Sequence, residues 1–243
     1  MADAHLGSES PEAECAKEAD LLRLLAVLEG RAAALYAVGD LFDFWFEFPG
    51  GRPVGYERVL AGLRSLTRSG VAVHLLGGNH DYWIGRLFEA ETGGTAHRQP
   101  VVETLFGRRM FIAHGDGLPA GDLGYRMLKT VIRSGPAIAA FRLVPQPAGC
   151  ALARWASGLS EITDERIERA LPPMREFLES KLREGFDAAV VGHVHRPCLW
   201  TTERGTAAIV GDWMWRRSVL ELGEGGFRML RWDGGGLVAP PAG

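Results

Sequence analysis

Residues 33–43 read AALYAVGDLFD. A short apolar run ends in a glycine and then two carboxylates, Asp40 and Asp43. Such runs, bounded by turn residues, read as buried strands. The same phrase recurs along the chain. Residues 71–76 lead into Gly77-Gly78-Asn79-His80-Asp81, residues 110–113 into His114-Gly115-Asp116, and residues 188–191 into Gly192-His193-Val194-His195. A fifth polar segment, Asp3-Ala4-His5, opens the chain. Ligands of open α/β sheets collect at the carboxyl ends of strands. Residues distant in sequence are therefore expected to meet in one crevice.

The residue types predict what they do there. Histidines, carboxylates and a carboxamide, with no thiolate, suit borderline and hard divalent metals such as Mn²⁺, Fe²⁺ or Zn²⁺. A carboxylate has two oxygens and can bridge two ions. Two ions roughly 3.5–4 Å apart can hold both a hydroxide and a phosphoryl oxygen, the logic of two-metal phosphoester hydrolysis. Taken singly, each residue has a structural alternative. Asp40 fits a turn, Asn79 likewise, and His80 a surface. Failure of all of them together as ligands is improbable. His74 and His97 lie outside the pattern and read as structural or surface residues.

At these blocks the chain resembles the calcineurin-like metallophosphoesterase superfamily, whose order is D-x-H, G-D-x-x-D, G-N-H-[DE], a lone His after a strand, and G-H-x-H. The resemblance runs from Asp3 to about Trp213. It implies one metal held by Asp3, His5, Asp40 and His195, and a second held by Asp40, Asn79, His114 and His193. Asp40 would bridge. His80 would serve the reaction rather than the metal, with Asp81 fixing its imidazole; an imidazole titrates near neutrality and can supply a proton. Asp43 would orient a ligand histidine. The implied fold is a four-layer α/β/β/α sandwich of two mixed sheets.

The surroundings narrow the resemblance. Gly39-Asp40-Leu41-Phe42-Asp43-Phe44-Trp45, His114-Gly115-Asp116-Gly117 with Asp122 and Tyr125, and Gly211-Asp212-Trp213 are similar to the UDP-2,3-diacylglucosamine hydrolases and their relatives. That likeness implies a nucleotide-sugar lipid substrate, cleavage to UMP and a lipid 1-phosphate in lipid A synthesis, and two Mn²⁺-type ions. Asn79, His80, Asp122, Tyr125 and His195 would contact substrate. A cytoplasmic location, peripheral to the inner membrane, is implied too. Two departures stand out. The best-known branch has Arg where this chain has His80, and an Arg cannot donate a proton near neutral pH. Family members also begin with an apolar strand before D-x-H, whereas only Met1 and Ala2 precede Asp3 here. Asp3 and His5 are thus expected to be poorly anchored.

Composition sets outer bounds. The 243 residues carry a formal net charge of −3, which implies no strong attraction to nucleic acid. Three scattered cysteines, Cys15, Cys150 and Cys198, give no disulfide framework and suggest a reducing compartment. The acidic N-terminus lacks the apolar core of a signal peptide.

The expected organisation is one domain over residues 1–233, a helical lid inserted at about 117–171, and a disordered Gly/Pro-rich tail at 234–243. Helices are expected from Ser10-Pro11-Glu12 to near Gly30, and over 56–68. Strand pairs are expected at 101–105 with 109–113, 199–202 with 207–210, and 218–222 with 227–232. Between Leu123 and Ser160 there are basic residues, including Arg126, Lys129, Arg133 and Arg142, and no acidic ones. That stretch reads either as a solvated basic face or as a lid offering charge and apolar surface to anionic lipid. In the second reading Arg133 and Arg142 face the membrane, and Arg126 and Lys129 face the metal loops. A soluble phosphodiesterase with a small substrate is the enzyme alternative. A scaffold of this fold, like the retromer subunit, is the other, and the intact ligand blocks weigh against it.

Overall fold

A computed structural model describes residues 1–51, 54–118, 123–158 and 163–241, with only the backbone of helical residues 123–126, 128 and 154–158. Helix α1 spans Pro11–Leu28, with Ser10 as its cap and Pro11 in its first turn, as the Ser-Pro-Glu signal requires. Its buried stripe is Lys17, Leu21, Leu24 and Leu25, an i, i+4, i+7, i+8 pattern. Strand β1 (Ala34–Val38) pairs parallel with β2 (Ala72–Leu76), and β2 with β3 (Thr95–His97). Helix α2 (Glu57–Arg68) makes the first crossover, and α3 (Arg86–Thr92) the second.

The central sheet has five strands in the order β4-β5-β6-β8-β7. These are β4 (Val101–Leu105), β5 (Arg108–Ala113), β6 (Ala188–Val191), β7 (Cys198–Thr202) and β8 (Gly205–Ile209). All four residues of β6 are buried, as a strand with parallel neighbours and both faces covered requires. The last ladder joins β9 (Ser218–Gly223), β10 (Gly226–Trp232) and β11 (Leu237–Val238).

Four layers follow from the packing. Leu21, Leu24 and Leu25 of α1 and Val59, Leu63 and Leu66 of α2 share a core with Leu35, Leu75, Val219 and Trp232. The β1–β3 and β9–β11 ladders therefore lie under the same helices. Val38 and Leu76 pack instead with Met110, Ile112, Ala188 and Val190, and Leu220 and Leu222 join them. Both ladders thus turn their other face to the five-stranded sheet. That sheet's outer face, with Phe111, Ala189 and Val191, packs on Ile167, Met174, Leu178 and Leu182 of α7 (Asp164–Arg183).

The start of the chain fills the seam between the two ladders. Met1 through Leu6 are all buried. Val38 N donates to Met1 O at 2.8 Å, Asp3 N to Gly39 O at 3.1 Å, and His5 N to Asp40 O at 3.0 Å. On the other side Trp213 N donates to Ala2 O at 3.0 Å. The expectation that Asp3 and His5 are loosely held is corrected: backbone hydrogen bonds anchor them on both flanks.

Two further boundaries differ. Helix α7 runs unbroken through Pro172 and Pro173, so residues 164–171 belong to the core layer, not to the lid. Their stripe continues into Met174 and Leu178, and burial of that stripe outweighs the prolines. The tail is ordered at Leu237–Val238, which pair with Arg231–Trp232. Strand β3 and helix α3 were not legible. The lid consists of α4 (Leu123–Ile132), α5 (Gly135–Phe141) and α6 (Gln146–Gly158).

Candidate metal centre

Backbone conformation picks out the site before any side chain is considered. Seven non-glycine residues among those described have positive φ. Five are Asp3 (52°), His5 (41°), Asp40 (50°), His193 (66°) and His195 (59°). Left-handed backbone is costly for residues with a Cβ, and it persists where the surroundings hold it. Each strand ends and the chain turns sharply, which points the next side chain into the crevice. Gly39 adopts φ 86°, and a Cβ there would sit 2.2 Å from His114 Nδ1. A Cβ at Gly78 would sit 2.1 Å from Asp40 Oδ1. Only glycine permits this approach.

The side chains form three groups, two of them sharing His5, and within each group the ligand atoms lie within 4.8 Å of one another: Asp3, His5 and His195; Asp40, His114 and His193; and His5, Asp43 and His80. Asp40 Oδ2 lies 3.2 Å from His114 Nε2 and 3.8 Å from His5 Nε2, so it sits between the first two groups. Asn79 Oδ1 lies 3.2 Å from His114 Nε2. Asp3 Oδ1 lies 3.5 Å from His195 Nε2. All seven expected metal ligands thus converge.

Neighbours fix their directions. His114 Nδ1 bonds to Val38 O at 2.9 Å, which turns Nε2 toward Asp40. His193 N donates to Asp3 Oδ2 at 2.9 Å, and His80 N to Asp40 Oδ1 at 2.9 Å. The expectation that Asp81 fixes the His80 imidazole is corrected. Asp81 accepts from the backbone N–H groups of Gly78 (2.8 Å) and Leu41 (2.8 Å), and from those of Asp40 and Phe42. It ties the two ligand loops together. The imidazole Nδ1 instead meets Asp43, at 2.9 Å from its carbonyl oxygen and 3.4 Å from its carboxylate. Asp43 Oδ1 is also 3.7 Å from His5 Nδ1.

A fully buried lysine belongs to this support. Lys17 Nζ donates to His5 O at 2.9 Å and pairs with Glu14 (3.0 Å) and Glu9 (3.2 Å). Its place on the apolar stripe of α1 was the signal that could have found it.

The charges explain why cations suit the site. Burial pushes Asp3 well above the usual carboxylate range, aided by the nearby Asp40 charge. Burial opposes the Asp40 charge as well, yet His114 and His80 hold that carboxyl well below the ordinary range. Against burial, Asp40 raises His114 to about 10; Asp40 and Asp43 raise His80 to about 9. Burial lowers His193 to about 4 and His195 to about 2. Asp3 Oδ1, His5 Nε2 and His195 Nδ1 are buried without a hydrogen-bond partner. Orphaned acceptors of these types are what a divalent cation satisfies, so the residues present fit metal ions.

The lid reaches the same crevice. Arg133 Nη2 donates to Gly78 O at 2.8 Å and to Asp116 Oδ2 at 2.9 Å, with its guanidinium 3.8 Å from the Tyr82 ring centre. Lys129 Nζ donates to Asp116 O at 2.6 Å. Lys129 therefore faces the metal loops as expected. Arg133 does too, which corrects its placement toward a membrane; Arg142 is exposed. Asp122 lies outside the described residues. Tyr125 is on α4, but its side chain is likewise outside them. His74 and His97 meet at 3.0 Å, away from the ligand groups.

A calcineurin-like phosphoesterase family model matches residues 1–197. A UDP-2,3-diacylglucosamine hydrolase from Pseudomonas fluorescens is 30% identical, covering 96% of this chain and 94% of the relative. A protein of that name from Chromobacterium violaceum is 28% identical, covering 100% and 98%. Among solved structures, an archaeal phosphodiesterase with 10% identity covers 94% of this chain and 95% of that one, at a TM-score of 0.45.

Proposed function

This chain belongs to the calcineurin-like phosphoesterase family and is a hydrolase, and from that premise we propose that it cleaves the diphosphate of a UDP-2,3-diacylglucosamine-type substrate to UMP and a diacylglucosamine 1-phosphate. The observation that carries the proposal is the Asp40 carboxylate between two histidine–carboxylate groups. Bound there, two divalent ions, Mn²⁺ by expectation, would supply a hydroxide and neutralise phosphoryl charge. Asp3, His5, Asp40 and His195 would hold one; Asp40, Asn79, His114 and His193 the other.

The chain's own groups do the rest. Asp43 fixes His80 through Nδ1, so Nε2 is the nitrogen that serves the leaving oxygen. Its elevated affinity for a proton suits general-acid work. Asp81 preserves the alignment of the Asp40 and Asn79 loops. The names of the relatives support the nucleotide-sugar lipid as substrate. So does the lid, where Met127 (71%), Val131 (62%) and Leu143 (85%) expose apolar side chains that two acyl chains would cover. No helix among the described residues is long and apolar enough to cross a membrane, and weak peripheral contact with anionic lipid is the arrangement we propose.

Release of UMP from UDP-2,3-diacylglucosamine, measured beside hydrolysis of an aryl phosphodiester, tests the proposal. Metal-dependent UMP release with a kcat/KM well above that of the diester is expected. Hydrolysis of the diester alone would favour the small-substrate phosphodiesterase.

A further inference from the structure

Beyond the ligand cluster, one exposed side chain stands at its rim in a way the hydrolytic chemistry does not use. Trp215 is 51% exposed. Its ring centre lies 6.0 Å from that of His195. His195 stacks on His5 at 5.3 Å, and His5 meets His80 edge-on at 4.6 Å. A row of rings thus runs from the proton-donor candidate to the surface and ends on an indole.

A lone exposed tryptophan is ordinary. This one is carried by a turn built for rigidity. Asp212, fully buried, accepts from Trp215 N at 2.6 Å and from Arg216 N at 3.0 Å, and holds the Arg216 guanidinium at 2.9 Å. Arg217 is held in left-handed backbone (φ 50°) and donates to the carbonyls of Trp213 and Met214. Trp213 beneath is itself fully buried and bonded to the Ala2–Asp3 backbone. The indole therefore stands on the same support as the Asp3 ligand. The turn buries Trp213 completely yet leaves Trp215 half-exposed, so burial alone does not account for the position of the second indole. A flat, rigid ring beside a phosphate-binding centre suits stacking of another flat ring.

We propose that Trp215 is the platform of a subsite for a planar aromatic ring, of the nucleobase kind, carried by the phosphate bound at the Asp3–His195 end of the cluster. The subsite rests on the proposed phosphoester chemistry only in that the ring arrives attached to a phosphate. It would select nucleotide esters over esters of the same phosphate without a base.

Binding of UMP and of ribose 5-phosphate, with Mn²⁺ present, tests this by calorimetry and tryptophan fluorescence. The wild-type protein is expected to bind UMP roughly tenfold more tightly than ribose 5-phosphate, with quenching, as one base–aromatic stack implies. In Trp215→Ala and Trp215→Leu the gap closes; in Trp215→Phe most of it is kept. The leucine variant keeps bulk without a π-face and guards against collapse of the turn. Equal affinities in the wild type, or a gap that survives in both Trp215→Ala and Trp215→Leu, would overturn the subsite. So would loss of vesicle binding in Trp215→Ala with the gap intact, which would make the indole a membrane anchor. The two readings fail separately. Base-dependent UMP binding without cleavage of the diacylated UDP-sugar sinks the substrate assignment alone. Cleavage without base-dependent binding sinks the subsite alone.

Discussion

The two oxygens of Asp40 have different neighbours. Oδ1 accepts His80 N at 2.9 Å, while Oδ2 lies between His114 Nε2 and His5 Nε2. A ligand shared by both ions should be needed by both. In Asp40→Ala, elemental analysis is expected to find neither ion at full occupancy; in His193→Ala, only the second is depleted. Two full-occupancy ions in Asp40→Ala would remove the bridging assignment. His80→Ala should keep its metal and lose about 10²–10⁴-fold in kcat, the range for a general acid. Metal loss in that variant would make His80 a ligand instead. These residues were legible because strand-end motifs name them. Lys17 was not, because a lysine three residues after a glutamate reads as a surface pair.

At the scale of elements, α4 has two duties. Its Lys129, with Arg133 just past its last residue, closes on Asp116 and Gly78 beside the metal loops, while Met127 and Val131 face outward. Hydrogen bonds to charged groups contribute about 1.5–3 kcal/mol. Arg133→Ala is therefore expected to lower kcat/KM roughly 10–100-fold for a lipid substrate and a soluble diester alike, since it loosens Asp116 and the Gly78 loop. Paired Met127→Ser and Leu143→Ser changes should instead reduce binding to anionic vesicles and raise KM for the lipid alone. Vesicle flotation and parallel kinetics separate the two faces. Equal damage to both substrates by the serine pair would defeat the membrane-facing assignment. Arg133 and Arg142 carry the same charge and each adjoins apolar residues of the lid, and nothing local separates them. Only the docking of α4 against Tyr82 and Asp116 does so.

Across the whole molecule, the centre is a charge cluster that folding assembles. In the metal-free protein, Asp40 raises His114 from the ordinary 6.5 to about 10, and Asp40 and Asp43 raise His80 to about 9, each against burial. The sign follows from linkage. Groups whose folded values are raised contribute stability that is complete below 6.5 and lost as pH climbs through 9 to 10. Asp43, lowered from 3.8 to about 2, contributes stability above 3.8 that is lost as pH falls through 2. Metal binding needs the neutral imidazole of His114 and so competes with its proton. Thermal melts of chelator-treated protein are expected to show falling stability between pH 8 and about 10, an effect that bound Mn²⁺ abolishes. Calorimetric Mn²⁺ titration at pH 8, in two buffers of different ionisation heat, should register release of about one proton. Heats that do not depend on the buffer would mean that His114 is already neutral.

Sequence alone pointed to the residues that meet in the crevice, because each motif is local: an apolar strand, a turn, and a donor thrown to the strand's carboxyl end. It also determined most strands and the first parallel crossover, through α2, by hydrophobic period and length. It did not determine what held those donors in place. The seam occupied by Met1–Leu6, the exchange of Asp81 for Asp43 beside His80, the buried Lys17 and the inward turn of Arg133 all depend on contacts between different segments of the chain. Hydrogen bonds and ion pairs of that kind leave no periodicity in the sequence. They are fixed only when the two β layers close on each other.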